Sequence, residues 1–123
     1  MEISDKPLLS KLGIKPGLRV AVLGFTDRSF MEDHPHDPHL ESGVGYDVIL
    51  FHAEDPTELR SLPTIKQSLG EKGFLWIVYP RGVKTITQAQ VMFAGNAGNF
   101  TDTKVCRFSE VDTALKFMRR RKG

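Results

Sequence analysis

The sequence predicts a three-layer α/β fold of about five strands, mostly parallel, with a C-terminal antiparallel hairpin. Near-continuous apolar runs at residues 46–51 and 74–79 are typical of strands that helices cover on both faces. Segments with helix caps lie between such runs, and strands separated by helices imply parallel crossovers. Two further runs, at 103–108 and 113–118, are joined by a short polar segment, a spacing that predicts an antiparallel hairpin.

The first third of the chain predicts a short helix, a strand and a long loop. Asp5 is placed to cap the helix and Gly13 to end it. Residues 18–23 are rich in β-branched and aliphatic side chains, which favours a strand that ends at Gly24. Residues 25–45 contain prolines and glycines, so we expect a loop with at most one helical turn.

The middle of the chain predicts two helices and a turn. Asp55 is followed by a proline and then by a glutamate, which is the pattern of a helix start. Pro63 is expected to kink or split this helix, and residues 71–73 are expected to turn the chain into the second apolar strand. Thr87 and Gln90 match a capping box, which predicts a second helix before the hairpin.

The length of 123 residues and the composition, 40% hydrophobic and 26% charged, indicate one globular domain. We expect this domain to span residues 1–118 and a basic tail to span 119–123. Four of the seventeen lysines and arginines lie in that tail, so the rest of the chain has a net charge of −2 and lacks the positive excess typical of nucleic-acid binding. The single Cys106 excludes an internal disulfide, and its apolar neighbours favour a small buried hydrophobe over a catalytic thiol.

Three stretches resemble class I S-adenosylmethionine-dependent methyltransferases: GIKPGLRVAVLG at 13–24, YDVILF at 46–51 and LGEKGFLWIVYP at 69–80. In that family they look like the first, fourth and fifth strands, and the terminal hairpin is similar to the one that closes the sheet. Across residues 11–117 the chain also resembles a family of short, uncharacterised bacterial proteins, a domain of unknown function, that share KLGIKPG, LWIVYP and TALKF. The resemblance implies a reduced Rossmann-like, methyltransferase-like fold.

The chain departs from the methyltransferase pattern where that family binds its cofactor. The loop after the first strand offers one glycine, and Phe25 and Thr26 place bulk where the family keeps glycine. Only 21 residues separate Gly24 from Tyr46, too few for the two helices and two strands that the family has there. The sequence therefore predicts that S-adenosylmethionine is not a cofactor and that the chain is a non-catalytic binding or regulatory module rather than an enzyme. The alternative is a divergent methyltransferase, or another small-molecule enzyme that uses the crevice at the strand ends.

Candidate ligand-binding residues follow the strands, because ligands of open α/β sheets bind outside the carboxyl ends of the strands. The predicted set is Gly24, Phe25, Thr26, His52, Glu54, Tyr79, Arg81 and Lys84. Arg81 and Lys84 precede a helix N-terminus, which favours a small anionic ligand unless both are solvated loop cations. No residue is assigned as catalytic: His52 is either a general base beside Glu54 or Asp55, or a structural histidine.

A second hypothesis concerns metal binding by the long loop. His34, His36 and His39, flanked by Glu32 and Asp33, form the densest set of metal-ligating side chains in the sequence. Their spacing matches no structural zinc pattern. The alternative is a polar loop that binds transition metals only adventitiously.

The absence of the two strands that the methyltransferase family has between Gly24 and Tyr46 bears on the partners of the chain. Without them the first strand lies at a sheet edge, which predicts either a homodimer or a segment that covers the edge. A small anionic ligand or a protein is the other expected partner. The chain has no run of about 18 apolar residues and no signal-peptide pattern, so we expect no membrane segment and a cytoplasmic protein.

Overall fold

The apolar runs pair into one five-stranded sheet in the computed structural model, which describes residues 7–120. The strands are β1 (Val20–Leu23), β2 (Tyr46–His52), β3 (Leu69–Pro80), β4 (Phe100–Arg107) and β5 (Asp112–Arg119). They lie in the order β1-β2-β3-β5-β4. The first three are parallel, and β5 runs antiparallel to both β3 and β4. The predicted fold class is confirmed.

Short helices cover the sheet, and side-chain caps mark the start of two of them. The helices are α1 (Leu8–Lys11), a 3₁₀ helix at Ser29–Met31, a 3₁₀ helix at Pro56–Ser61, α2 (Leu62–Ser68) and α3 (Gln88–Ala97). Asp55 caps the second 3₁₀ helix by accepting the Thr57 N–H at 2.8 Å, and the helix changes to α geometry beside Pro63. The predicted capping box at the start of α3 is present. The predicted cap Asp5 lies outside the described residues.

The two faces of the sheet carry separate apolar clusters, as a three-layer architecture requires. Alternate residues of β2 and β3, such as Ile49 and Ile77, pack beneath α2 and α3. Their neighbours, such as Leu50 and Trp76, pack beneath the segment that contains α1. The Trp76 indole N–H donates to the Leu12 carbonyl at 2.8 Å, which ties that segment to the sheet.

One predicted turn is wrong. Residues 71–73 lie inside β3. Tyr46 of β2 pairs with Leu69 of β3 and Val48 pairs with Phe74, so two positions along β2 correspond to five positions along β3. The surplus residues form a bulge, in which a Cβ on Gly73 would lie 2.5 Å from the Tyr46 carbonyl oxygen. Glycine is therefore required at the point where the two backbones come closest.

The exposed edge of β1 is partly covered by the loop before β2. Asp37 forms a parallel bridge with Ala21. The Val22 N–H donates to the Asp37 carbonyl at 2.8 Å, and the Asp37 N–H donates to the Val20 carbonyl at 2.9 Å. This is the covering segment expected as one of the two alternatives, whereas homodimerisation stays a prediction.

The first residues of the predicted tail belong to the folded part of the chain. Arg119 ends β5, and its guanidinium donates to the carbonyls of Lys66, at 2.7 Å, and Leu69. The Arg120 guanidinium donates to the Asn96 side chain at 2.8 Å. Within residues 7–120, no helix combines the length and the apolar character needed to cross a bilayer.

Candidate functional site

A cavity of about 320 Å³ lies where the carboxyl ends of β1 and β2 meet the start of β5. This volume is at the lower end of the range of small-molecule sites. The residues that line it are Gly24, Phe25, Thr26, Asp27, Ser29, Phe30, His52, Glu54, Phe108 and Asp112. Five of the predicted ligand-binding residues are among them: Gly24, Phe25, Thr26, His52 and Glu54. The parallel strands thus bring these residues to one edge, as predicted.

Gly24 shapes the floor of the cavity. Its φ of +78° lies in the left-handed region, and a Cβ there would sit 2.7 Å from the His52 carbonyl oxygen. Glycine is needed because the ends of β1 and β2 approach each other closely at this point. The same approach brings the His52 imidazole beside the loop that leaves β1.

His52 is held from two sides. Its Nε2 lies 3.3 Å from Oδ2 of Asp112, and the ring of Phe25 packs against the imidazole with centroids 5.1 Å apart. The other ring nitrogen, Nδ1, lies 4.0 Å from Oε2 of Glu54. The imidazole is 13% exposed, so it is largely shielded while still lining the cavity.

The wall of the cavity combines aromatic rings with carboxylates. Phe30 and Phe108 join Phe25 in a cluster whose ring centroids lie 5.1–5.6 Å apart. Carboxylates come from Glu54, Asp112 and Asp27. The backbone N–H of Ser29, which donates to Asp27 at 2.9 Å, lowers the pKa of Asp27 and keeps it ionised at neutral pH. Among the described residues that line the cavity, none is a lysine or arginine. This surface suits a cation with apolar or planar parts.

The other predicted ligand-binding residues lie elsewhere. Tyr79 is buried on the opposite face, where its hydroxyl donates to Oε1 of Gln88 at 3.3 Å. Arg81 binds the hairpin turn, with hydrogen bonds to the Asp112 carbonyl at 3.0 Å and to the Thr113 hydroxyl at 3.1 Å. Lys84 is exposed in the loop before α3. Neither cation lines the cavity, so neither supplies positive charge there for an anionic ligand.

Sequence reasoning missed five lining residues: Asp27, Ser29, Phe30, Phe108 and Asp112. Asp112 could have been predicted from the sequence, because antiparallel pairing places it opposite Pro80, at the same edge as the carboxyl end of β3. Phe30 and Phe108 gave no signal of their own, since their approach depends on how two loops fold over one face of the sheet.

The histidines of the long loop are not gathered around a common point. Both ring nitrogens of His34 face backbone carbonyls, those of Pro35 at 2.8 Å and Lys15 at 3.0 Å. Nδ1 of His36 faces the His34 carbonyl at 2.9 Å, and His39 is exposed. In the described part of the chain no three histidine, cysteine, aspartate or glutamate side chains are grouped to hold a metal ion.

Two other features lie apart from this site. Burial raises the pKa of the Cys106 thiol, which therefore stays protonated at neutral pH, in keeping with its interpretation as a small hydrophobe. A larger groove of about 800 Å³ lies between α3 and the 3₁₀ helix that precedes α2. Its walls are mainly apolar, and it is away from the strand ends that gather the polar side chains.

No family model matches the chain, and no curated protein matches it in sequence. Solved structures of the same fold do match. A methyltransferase dependent on S-adenosylmethionine from Aquifex aeolicus has a TM-score of 0.63 at 10% identity, over 89% of this chain and 86% of that one. The Burkholderia thailandensis 1,6-didemethyltoxoflavin N1-methyltransferase, with bound S-adenosylhomocysteine, has a TM-score of 0.67 at 12% identity, over 93% and 75%. The Synechocystis magnesium protoporphyrin IX methyltransferase, with bound S-adenosylmethionine, has a TM-score of 0.63 at 13% identity, over 90% and 74%.

These likenesses confirm the methyltransferase-like fold and correct three predictions. The expectations of a non-catalytic module, of a chain that is not an enzyme, and of no role for S-adenosylmethionine conflict with a fold whose similar structures are methyltransferases. The error came from equating the loss of glycines after β1 with the loss of the site, although β1 and β2 still enclose a cavity. At 10–13% identity the likeness shows the fold, so the chemistry of this chain rests on its own residues. The resemblance to short bacterial proteins stays a prediction.

Proposed function

We propose that the chain binds S-adenosylmethionine in the cavity at the ends of β1 and β2 and acts as a methyltransferase. The observation that supports this most directly is the negative charge of the cavity lining. Aromatic rings and carboxylates line the cavity, and no described lining residue is a lysine or arginine. S-adenosylmethionine carries a positively charged sulfur. Cations are attracted to the faces of aromatic rings and to carboxylates, so the lining fits this cofactor.

The residues that would hold the cofactor lie in the segments that follow β1 and β2. Phe25 and Phe30 offer aromatic rings, and Asp27 and Glu54 offer negative charge. Gly24 allows the backbone of the β1 loop to lie against the end of β2. When bound, the cofactor supplies a methyl group that an acceptor oxygen or nitrogen can take.

The test is calorimetric titration of the protein with S-adenosylmethionine and, separately, with the neutral product S-adenosylhomocysteine. We expect both to bind. Glu54→Gln should weaken S-adenosylmethionine binding by up to about fivefold, because an exposed ion pair contributes at most about 1 kcal/mol. It should weaken S-adenosylhomocysteine binding less, since only the former carries the sulfonium charge.

The matched control is Glu71→Gln, which removes the same charge in the bulge of β3, outside the cavity. This variant should bind both compounds as the wild-type protein does. Absence of binding to the wild-type protein would overturn the proposal. Equal losses for Glu54→Gln with both compounds would show that the carboxylate does not recognise the charge.

A further inference from the structure

Two side chains that are distant in sequence meet in the cavity and form a dyad. His52, at the end of β2, and Asp112, at the start of β5, lie 60 positions apart, yet Nε2 and Oδ2 are 3.3 Å apart. Both side chains are mostly buried, at 13% and 16% exposure. An ionised carboxylate oxygen accepts hydrogen bonds and cannot donate them, so Nε2 carries the proton and donates it to Asp112.

The dyad leaves the second ring nitrogen available. With the proton on Nε2, neutral His52 keeps its lone pair on Nδ1. The Glu54 carboxylate is 4.0 Å from Nδ1, beyond hydrogen-bond distance, and its side chain is 74% exposed. The ring of Phe25 packs against the imidazole at an interplanar angle of 60°, with centroids 5.1 Å apart. The histidine is thus oriented and unpaired at the nitrogen that accepts a proton.

We propose that His52 is the general base of methyl transfer and that Asp112 is a positioning residue that holds its tautomer. This inference rests on the proposed function. The acceptor oxygen forms a bond to the methyl carbon, the methyl–sulfur bond breaks, and its electron pair stays on sulfur, which becomes a neutral thioether. The hydroxyl proton passes to Nδ1 of His52, and the resulting imidazolium then releases it to water.

The same geometry selects the class of acceptor. A base is needed when the acceptor keeps its proton at neutral pH, as a hydroxyl does. The carboxylates of Asp27, Glu54 and Asp112 disfavour an anionic acceptor, and the rings of Phe25 and Phe108 favour a planar one. We therefore assign an uncharged aromatic compound with a phenolic hydroxyl as the acceptor class.

Charged side chains from several segments surround the dyad. The titratable side chains that line the cavity with His52 are Asp27, Glu54 and Asp112. The guanidinium of Arg81, which follows β3, donates to the backbone carbonyl of Asp112 at 3.0 Å.

The experiment uses 2-naphthol as the acceptor probe and follows the His52 ring nitrogens by NMR. Adding 2-naphthol to protein saturated with S-adenosylhomocysteine should shift the Nδ1 resonance, because the hydroxyl donates to it. With S-adenosylmethionine, His52→Gln should lower the rate of methyl transfer by about 100-fold or more. Asp112→Asn should lower it by about tenfold or more and change the tautomer of His52.

The matched control is His39→Gln, which removes an exposed histidine outside the cavity and should keep the wild-type rate. An unmoved Nδ1 resonance, or a His52→Gln variant as fast as the wild type, overturns the role of His52. A structural histidine would move neither quantity. Absence of transfer to 2-naphthol by the wild-type protein overturns the phenolic acceptor class. Absence of S-adenosylhomocysteine binding instead overturns the proposed function, so the failures are distinguishable.

Discussion

Single residues set the geometry of the site, and Gly24 shows how. Its positive φ and the carbonyl oxygen of His52 are two separate reasons for glycine. Gly82 has nearly the same φ, +77°, but a Cβ at Gly82 would meet nothing within 4 Å. Alanine variants at Gly24 and Gly82 therefore separate the free-energy cost of the left-handed backbone from the cost of the steric clash.

At this scale we predict that Gly24→Ala destabilises the fold more than Gly82→Ala. Left-handed backbone costs a residue with a Cβ about 1–2 kcal/mol, which both variants should lose. Only Gly24→Ala adds a contact of 2.7 Å to backbone. Urea unfolding of both variants measures the difference. Equal losses of unfolding free energy would contradict the steric argument.

At the scale of elements, α3 packs on the sheet more closely than its sequence suggests. Gly95 lies in the helix interior, where glycine lowers intrinsic helix stability. A Cβ at this position would lie 2.1 Å from the ring of Phe117, which is fully buried on β5. The glycine therefore lowers helix propensity but allows close contact between helix and strand.

We predict that Gly95→Ala destabilises the protein, although alanine is favoured in an isolated helix by about 1 kcal/mol. Overpacking of a core costs about 1–3 kcal/mol, and the net change should be a loss. Gly98→Ala is the control: its φ of −88° suits alanine, and its Cβ would make only ordinary contacts. Thermal unfolding compares the two, and a Gly95→Ala variant more stable than the wild type would refute the packing argument.

At the scale of the whole molecule, one ion-pair network holds the long loop against the sheet. The Arg19 guanidinium donates to carboxylates of Asp37, at 2.8 Å, and Glu41, at 2.9 Å. The Tyr46 hydroxyl donates to Asp37 at 2.7 Å, and burial raises the pKa of this tyrosine, so it stays protonated. The network therefore holds Asp37 where its backbone bridges β1.

We predict an acid-sensitive contribution of this network to stability. The hydrogen bond from Tyr46, followed by that from Arg19, lowers the pKa of Asp37 from its ordinary value of 3.8. Because the folded-state pKa is the lower one, the stabilisation is present above the unfolded-state pKa and is lost as pH falls through the folded-state pKa. Asp37→Asn should thus reduce stability at neutral pH and converge with the wild type in strong acid.

Urea unfolding between about pH 7 and pH 2 measures this effect. Asp33→Asn, a change at an exposed carboxylate of the same loop, is the control and should follow the wild-type curve. A difference between Asp37→Asn and the wild type that does not narrow in acid would show that the charge of Asp37 is not responsible.

The strands, the starts of two helices and one edge of the site could be predicted from local patterns in the sequence. Apolar runs and caps such as Asp55 and Thr87 are local, so their physics needs only neighbouring residues. Parallel pairing places the carboxyl ends of β1 and β2 at one edge of the sheet, so the sequence predicted that Gly24 and His52 lie together.

The chemistry of the site depends on contacts between segments that are distant in the sequence. The partner of His52 is Asp112, which chain reversal in the hairpin brings back, and not the nearby Asp55. The Arg81 guanidinium, which was expected to bind an anionic ligand, instead binds the hairpin turn and does not line the cavity. The charge of a cavity is a sum over side chains from distant elements, and sequence patterns describe each element separately. The acidic, aromatic surface that favours a cation therefore arises only when the loops close over the strand ends.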